Sequence, residues 1–139
     1  MKLFILLSFL ILIGLRGSAQ VSYKDGTYIG NSQSIYKEEP FVGISTIIIQ
    51  GGLIDSVNFY IVDTSKNELF DARYEKHFAG VNEEYVQQCR KDWAGTQRYP
   101  KVLMAKKKLS EVDAVSGATW SFNMFRDATS VALKKAAVK

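Results

Sequence analysis

The sequence predicts an α+β domain: a small antiparallel sheet with helices, the terminal helix following a Ser-Gly-Ala-Thr motif. Three observations carry this expectation. The β-branched run FVGISTIIIQ, Phe41 to Gln50, is followed by Gly51-Gly52 and by the alternating run LIDSVNFYIV, the pattern of two strands joined by a two-residue turn. After Asp63-Thr64 apolar residues recur every three to four positions instead of every two. The last segment keeps that helical period as far as its terminal lysines.

Taken in order, Asp25-Gly26-Thr27-Tyr28-Ile29-Gly30 gives a turn signal followed by alternation, so a first strand is expected near Thr27, with a bend or bulge allowed at Gly30. The Gly-Gly hairpin comes next. A helix is then expected from about Ser65 to Phe78, capped by Thr64 and ended by Gly80. Asn82-Glu83-Glu84 opens a second helix carrying Tyr85 or Val86, Cys89 and Trp93, which Gly95 closes. Tyr99-Pro100 begins an extended stretch through Leu109, expected at a sheet edge where Pro is tolerated. The terminal helix would bury Phe122, Phe125, Ala128 or Thr129, Ala132 and Ala136, with Lys134, Lys135 and Lys139 near its negative end.

The chain has 139 residues, 47% hydrophobic and 23% charged, which suits one globular domain and argues against disorder. Residues 3–15, LFILLSFLILIGL, form an unbroken apolar run behind Lys2 and ahead of Gly17-Ser18-Ala19, the signature of an export signal. As a helix this run would span only about 20 Å, against a hydrocarbon core of roughly 30 Å. Cleavage after Ala19 would leave residues 20–139 as the exported, periplasmic or extracytoplasmic domain. Left uncleaved, with Arg16 snorkelling, the same segment would be an N-terminal anchor. No cysteine follows the run, which excludes a lipoprotein anchor.

Removing Lys2 and Arg16 halves the net charge of +4, and nothing in the remainder calls for nucleic acid. The longest basic run, Lys106-Lys107-Lys108, reads as a solvated strand end or loop. Cys89 is the single cysteine and has no internal disulfide partner, so it reads as a small apolar residue on a packed face. His77 is also alone, and neither a zinc nor a haem site is expected.

Chemistry concentrates in Asp113-Ala114-Val115-Ser116-Gly117-Ala118-Thr119, just ahead of the terminal helix. Gly117 and Ala118 keep the surface low, so a bulky group can reach Thr119, and a helix N-terminus favours a phosphate bonded there. On physical pattern alone, Ser116 or Thr119 reads first as a plain N-cap, with Asp113 forming the preceding turn. Asp113, Ser116, Gly117, Ala118 and Thr119 resemble, position by position, the flavinylation signature of the FMN-binding domain family. That family includes the C subunit of sodium-translocating NADH:quinone reductase and the G subunit of the Rnf electron-transport complex. The Asp25 to Gly30 segment resembles the Asp-Gly-x-Tyr-x-Gly opening common in the domain, and the resemblance covers roughly residues 23–136. Residues 64–95 do not match it.

The resemblance implies that a separate FAD:protein FMN transferase, using Mg²⁺, moves FMN from FAD onto Thr119 as a phosphoester. Thr119 would be a modification site, since no histidine or lysine in the motif activates its hydroxyl. Ser121 is the neighbouring alternative acceptor. Trp120 and Phe122 could flank the flavin ring, although Phe122 also fits the helix core. The expected function is an exported electron carrier between redox proteins, membrane-bound ones included, because neither a nicotinamide fingerprint nor an acid-base constellation is present. The alternatives are a small extracytoplasmic flavin reductase, with Arg73, Tyr74 or His77 near the ring, and a non-redox exported binding or structural domain.

Overall fold

A computed structural model describes residues 21–139, so the export segment expected over residues 1–19 lies outside the described residues. Strands β1 (Gly26–Gln33), β2 (Phe41–Gln50), β3 (Leu53–Asp63) and β4 (Glu68–Leu69) form one sheet in that spatial order, each neighbouring pair antiparallel. Helices α1 (Glu83–Lys106) and α2 (Thr119–Ala136) cover one face. This is the α+β arrangement the sequence predicts.

The hairpin forms as expected. Gly51 and Gly52 have φ of 61° and 76°, both in the left-handed region that a type I′ turn requires and that glycine enters without strain. The Asp25 carboxylate accepts hydrogen bonds from both turn amides, at 3.1 Å from Gly51 and 2.8 Å from Gly52. The opening motif therefore pins the hairpin. In β3 the register shifts, Ile48 facing Ser56 and Ile49 facing Ile54. The extra residue, Asp55, lets Ile54 and the odd-numbered Phe59 and Ile61 all turn inward.

Gly30 sits where α2 meets β1. A Cβ there would lie 1.9 Å from the Ala128 carbonyl oxygen and 2.6 Å from the Ala132 nitrogen, so helix backbone lies directly on strand backbone. The α2 face that packs down includes Met124, Phe125, Ala128, Thr129, Ala132 and Ala136, and Thr129 Oγ1 meets Ser45 Oγ at 2.9 Å. Phe122 is only half-buried and packs edge-on to Tyr99, with centroids 5.3 Å apart. At the other end of α2 the chain termini of the domain meet, through a Tyr23–Ala137 bridge and a 2.8 Å bond from the Lys24 amide to the Ala136 carbonyl.

Three sequence expectations are corrected. The helix expected from Ser65 to Phe78 is a turn, the short strand β4 and a 3-10 helix, Ala72–Phe78. The periodic Phe70, Tyr74 and Phe78 serve an aromatic cluster instead, with Phe70 and Tyr74 centroids 5.0 Å apart and Tyr74 and Phe78 5.7 Å apart. Thr64 caps no helix; its amide and hydroxyl both donate to the Pro40 carbonyl, and Asp71 caps the 3-10 helix through the Arg73 amide. The second helix does not stop at Gly95, and no strand follows Tyr99. α1 continues through Gly95 and Pro100 to Lys106, ending with Lys107 left-handed at φ 58°. Tertiary packing overrides the helix-breaking propensity of both residues: a Cβ on Gly95 would lie 3.0 Å from Ala118 Cβ and from Tyr99 Cε2.

At the sheet edge, buried Asp63 accepts bonds from the Ser65 amide and hydroxyl, from Lys66 and, at 2.5 Å, from the Tyr74 hydroxyl. Burial opposes its charge more than any other single influence. The hydrogen bonds together outweigh burial and hold the carboxyl well below the usual range.

Candidate functional site

The site is built where α1 crosses under the turn that starts α2. Ala118 is the N-cap of α2 and makes no side-chain capping bond, so neither Ser116 nor Thr119 acts as the cap. The cap comes from α1: Asp92 Oδ1 accepts from the Ser121 amide at 3.0 Å and from the Ser121 hydroxyl at 2.7 Å. A carboxylate at the positive end of a helix is favourable, and here it already occupies part of the dipole end that the sequence alone assigns to a phosphate.

The turn is clamped by further residues of the same α1 face. Fully buried Tyr99 donates to the Ala118 carbonyl at 2.9 Å and accepts from the Val115 amide at 3.2 Å. Gln88 donates from Nε2 to the Gly117 carbonyl. The Lys91 stem lies over Gly117, where a Cβ would come within 2.8 Å of its Cδ. Gly117 has φ +80°, so a side chain there is strained as well as crowded.

This frame sorts the motif residues by accessibility. Thr119, Ser116 and Asp113 are exposed, Gly117 is half-buried and Ala118 is fully buried. Thr119 stands in the first turn of α2, just after the Gly117-Ala118 backbone over which the Lys91 stem lies. Ser121, the alternative acceptor, is 0% exposed and its hydroxyl is engaged by Asp92.

Trp120 turns to one side, half-buried, and walls a cavity of about 280 Å³, near the lower end of ordinary small-ligand pockets at roughly 300–1,000 Å³. Phe41 and Phe70 present edges to its ring, with centroids 5.6 and 5.4 Å away. Tyr36, Glu39, Tyr85, Gln88, Cys89 and Asp92 complete the lining. The Trp120 indole N–H donates to Ser34 Oγ at 3.0 Å and to Glu39 Oε2 at 3.2 Å, and Ser34 donates to Glu39 at 2.5 Å. These bonds fasten the loop between β1 and β2 over the cavity. Cys89 is a buried free thiol, and burial pushes its ionisation above the usual range, leaving a neutral, apolar wall.

Arg73, Tyr74 and His77 do not line this cavity. Arg73 pairs with Asp71 at 2.6 Å and His77 meets Glu68 at 2.8 Å. Sequence reasoning missed Gln88, Asp92 and Tyr99. Their signal is helical spacing on one face, which becomes legible only once α1 is continued through Gly95.

The class is a two-layer α+β domain with an exposed threonine at the start of its terminal helix and an aromatic-walled cavity beside the next residue, Trp120. Residues 41–134 match the FMN-binding domain family, and the chain belongs to that family; it is a flavin-binding domain. Among solved structures, the crystal structure of the CPE2226 protein from Clostridium perfringens is similar, with 22% identity and a TM-score of 0.59 over 82% of this chain and 88% of that one. A solution NMR structure of a Clostridium thermocellum protein has 21% identity and a TM-score of 0.46 over 81% and 91% of the two chains. At these identities the first likeness concerns the fold alone. A search of curated proteins gives no match.

Proposed function

We infer that this chain is an exported electron-transfer carrier whose FMN is held by a phosphoester to Thr119. The observation that carries the reading is that exposed Thr119 follows a hydrogen-bonded turn and directly precedes Trp120, which walls the aromatic cavity. The residues present suit the group: Phe41, Phe70 and Trp120 offer apolar surface to a planar ring, while Gln88 and Tyr85 offer polar atoms to its edge. Flavin supplies the one- or two-electron chemistry, and the chain's own residues bind it, orient it and limit water around it.

An outside catalyst suits the attachment, because the motif holds no histidine or lysine to activate Thr119. In the transfer, a bond forms between Thr119 Oγ1 and the FMN phosphorus as the pyrophosphate bond of FAD breaks. AMP leaves, and the hydroxyl proton passes to a base on the FAD:protein FMN transferase. Covalent tethering fits a protein outside the cytoplasm, where no FMN pool replaces losses. Residues 1–19 are the proposed export signal, and the proposed donor and acceptor are redox proteins, membrane-bound ones included. Among the described residues no helix is long and apolar enough to cross a membrane.

Intact mass after co-expression with an active transferase tests the reading. Wild type and Thr119→Ser are expected to gain the mass of FMN less one water, and Thr119→Ala to gain nothing. An unmodified wild type beside an active transferase, or a Thr119→Ala variant labelled as fully as wild type, overturns it.

A further inference from the structure

The cavity beside Thr119 is mostly apolar, yet two carboxylates face into it. Asp92 is 4% exposed, with Oδ1 held by Ser121 and Oδ2 bonded to Gln88 at 3.2 Å. Glu39 stands across the cavity, its Oε2 held by Ser34 and Trp120. Both are fixed by neutral donors, and neither has an ion-pair partner among the described residues. No lysine, arginine or histidine lines the cavity. No cation among the lining residues offsets the negative charge that these two carboxylates bring to the cavity.

We propose that Asp92 and Glu39 hold the reduction potential of the bound flavin low. The inference rests on the reading above, that the flavin ring occupies this cavity. Reduction brings electrons from the donor protein into the cavity, and fixed negative charge opposes every added electron that a proton does not accompany. The donor is oxidised as the flavin is reduced, so a low potential restricts this carrier to strongly reducing donors and lets it pass electrons on to a broad range of acceptors. Asp92 and Glu39 act here as tuning residues and transfer nothing themselves.

Redox titration of the flavinylated proteins tests this. Asp92→Asn and Glu39→Gln remove charge while keeping one oxygen each for the Ser121 bonds and for the Ser34 and Trp120 bonds; Asp92→Asn gives up the Gln88 bond, whose donor keeps the Gly117 carbonyl. Each variant is expected to favour the reduced flavin at least tenfold over wild type, about 30 mV upward for a two-electron couple, and the double variant more than either single one. Asp55→Asn, an exposed charge outside the cavity, is expected to leave the potential unchanged. Attached flavin with potentials equal to wild type in both cavity variants overturns the inference alone, as does an equal rise in Asp55→Asn. Wild type that takes up no flavin overturns the functional reading and this inference with it. The two carboxylates lie on different elements, so a folding defect in one variant leaves the other decisive.

Discussion

At the scale of the residue, the site depends on side chains that never reach the solvent. Tyr99 satisfies one donor and one acceptor of the motif turn with a single buried hydroxyl. Tyr99→Phe leaves both without that partner, and a loss of about 1–3 kcal/mol in urea unfolding is expected, together with slower FMN attachment because the turn before Thr119 loosens. Unchanged stability and labelling would show the two bonds to be dispensable. Asp63 gives the pH-dependent case. Its folded ionisation is depressed, so its contribution is complete above the unfolded value of about 3.9 and fades as pH falls below it toward the folded value. Asp63→Asn is expected to be less stable than wild type by about 2 kcal/mol at neutral pH, with the gap closing progressively below about pH 4. A gap of constant size between pH 7 and pH 2 would contradict this assignment.

At the scale of the element, backbone contacts decide more than side-chain pattern. The α2–β1 contact has no room for a methyl at Gly30. Gly30→Ala must push helix from strand, and a loss of roughly 3 kcal/mol or more is expected, the range of severe overpacking; calorimetry showing a melting temperature within a degree of wild type would disprove it. The hairpin was readable because alternation and a Gly-Gly turn are local signals. α1 was not, because Gly95 and Pro100 are breakers in isolation, and the close approach of Tyr99 and of Ala118 and Ser121, more than twenty positions beyond Gly95, is what explains a glycine there. The region between Thr64 and Phe78 misled for another reason: an aromatic cluster imposes a helix-like period on a chain that is mostly turn and 3-10 helix.

At the scale of the whole molecule, the fold class and the motif's position at the start of the terminal helix were legible from sequence. The cavity was not, since its walls come from the β1–β2 loop, β2, the residue after β4, α1 and α2, and no one-dimensional pattern joins them. Helix α2 spans the domain between two very different ends. Its first residue is Thr119, and its last is bonded to the strand-like start of the described chain at Lys24. Eighteen helical residues put about 27 Å between those ends. Whatever precedes Val21 thus joins the domain at the pole opposite Thr119. Were that preceding segment held at a surface, the threonine end would face outward at the full reach of the helix, as a lamp stands on its post.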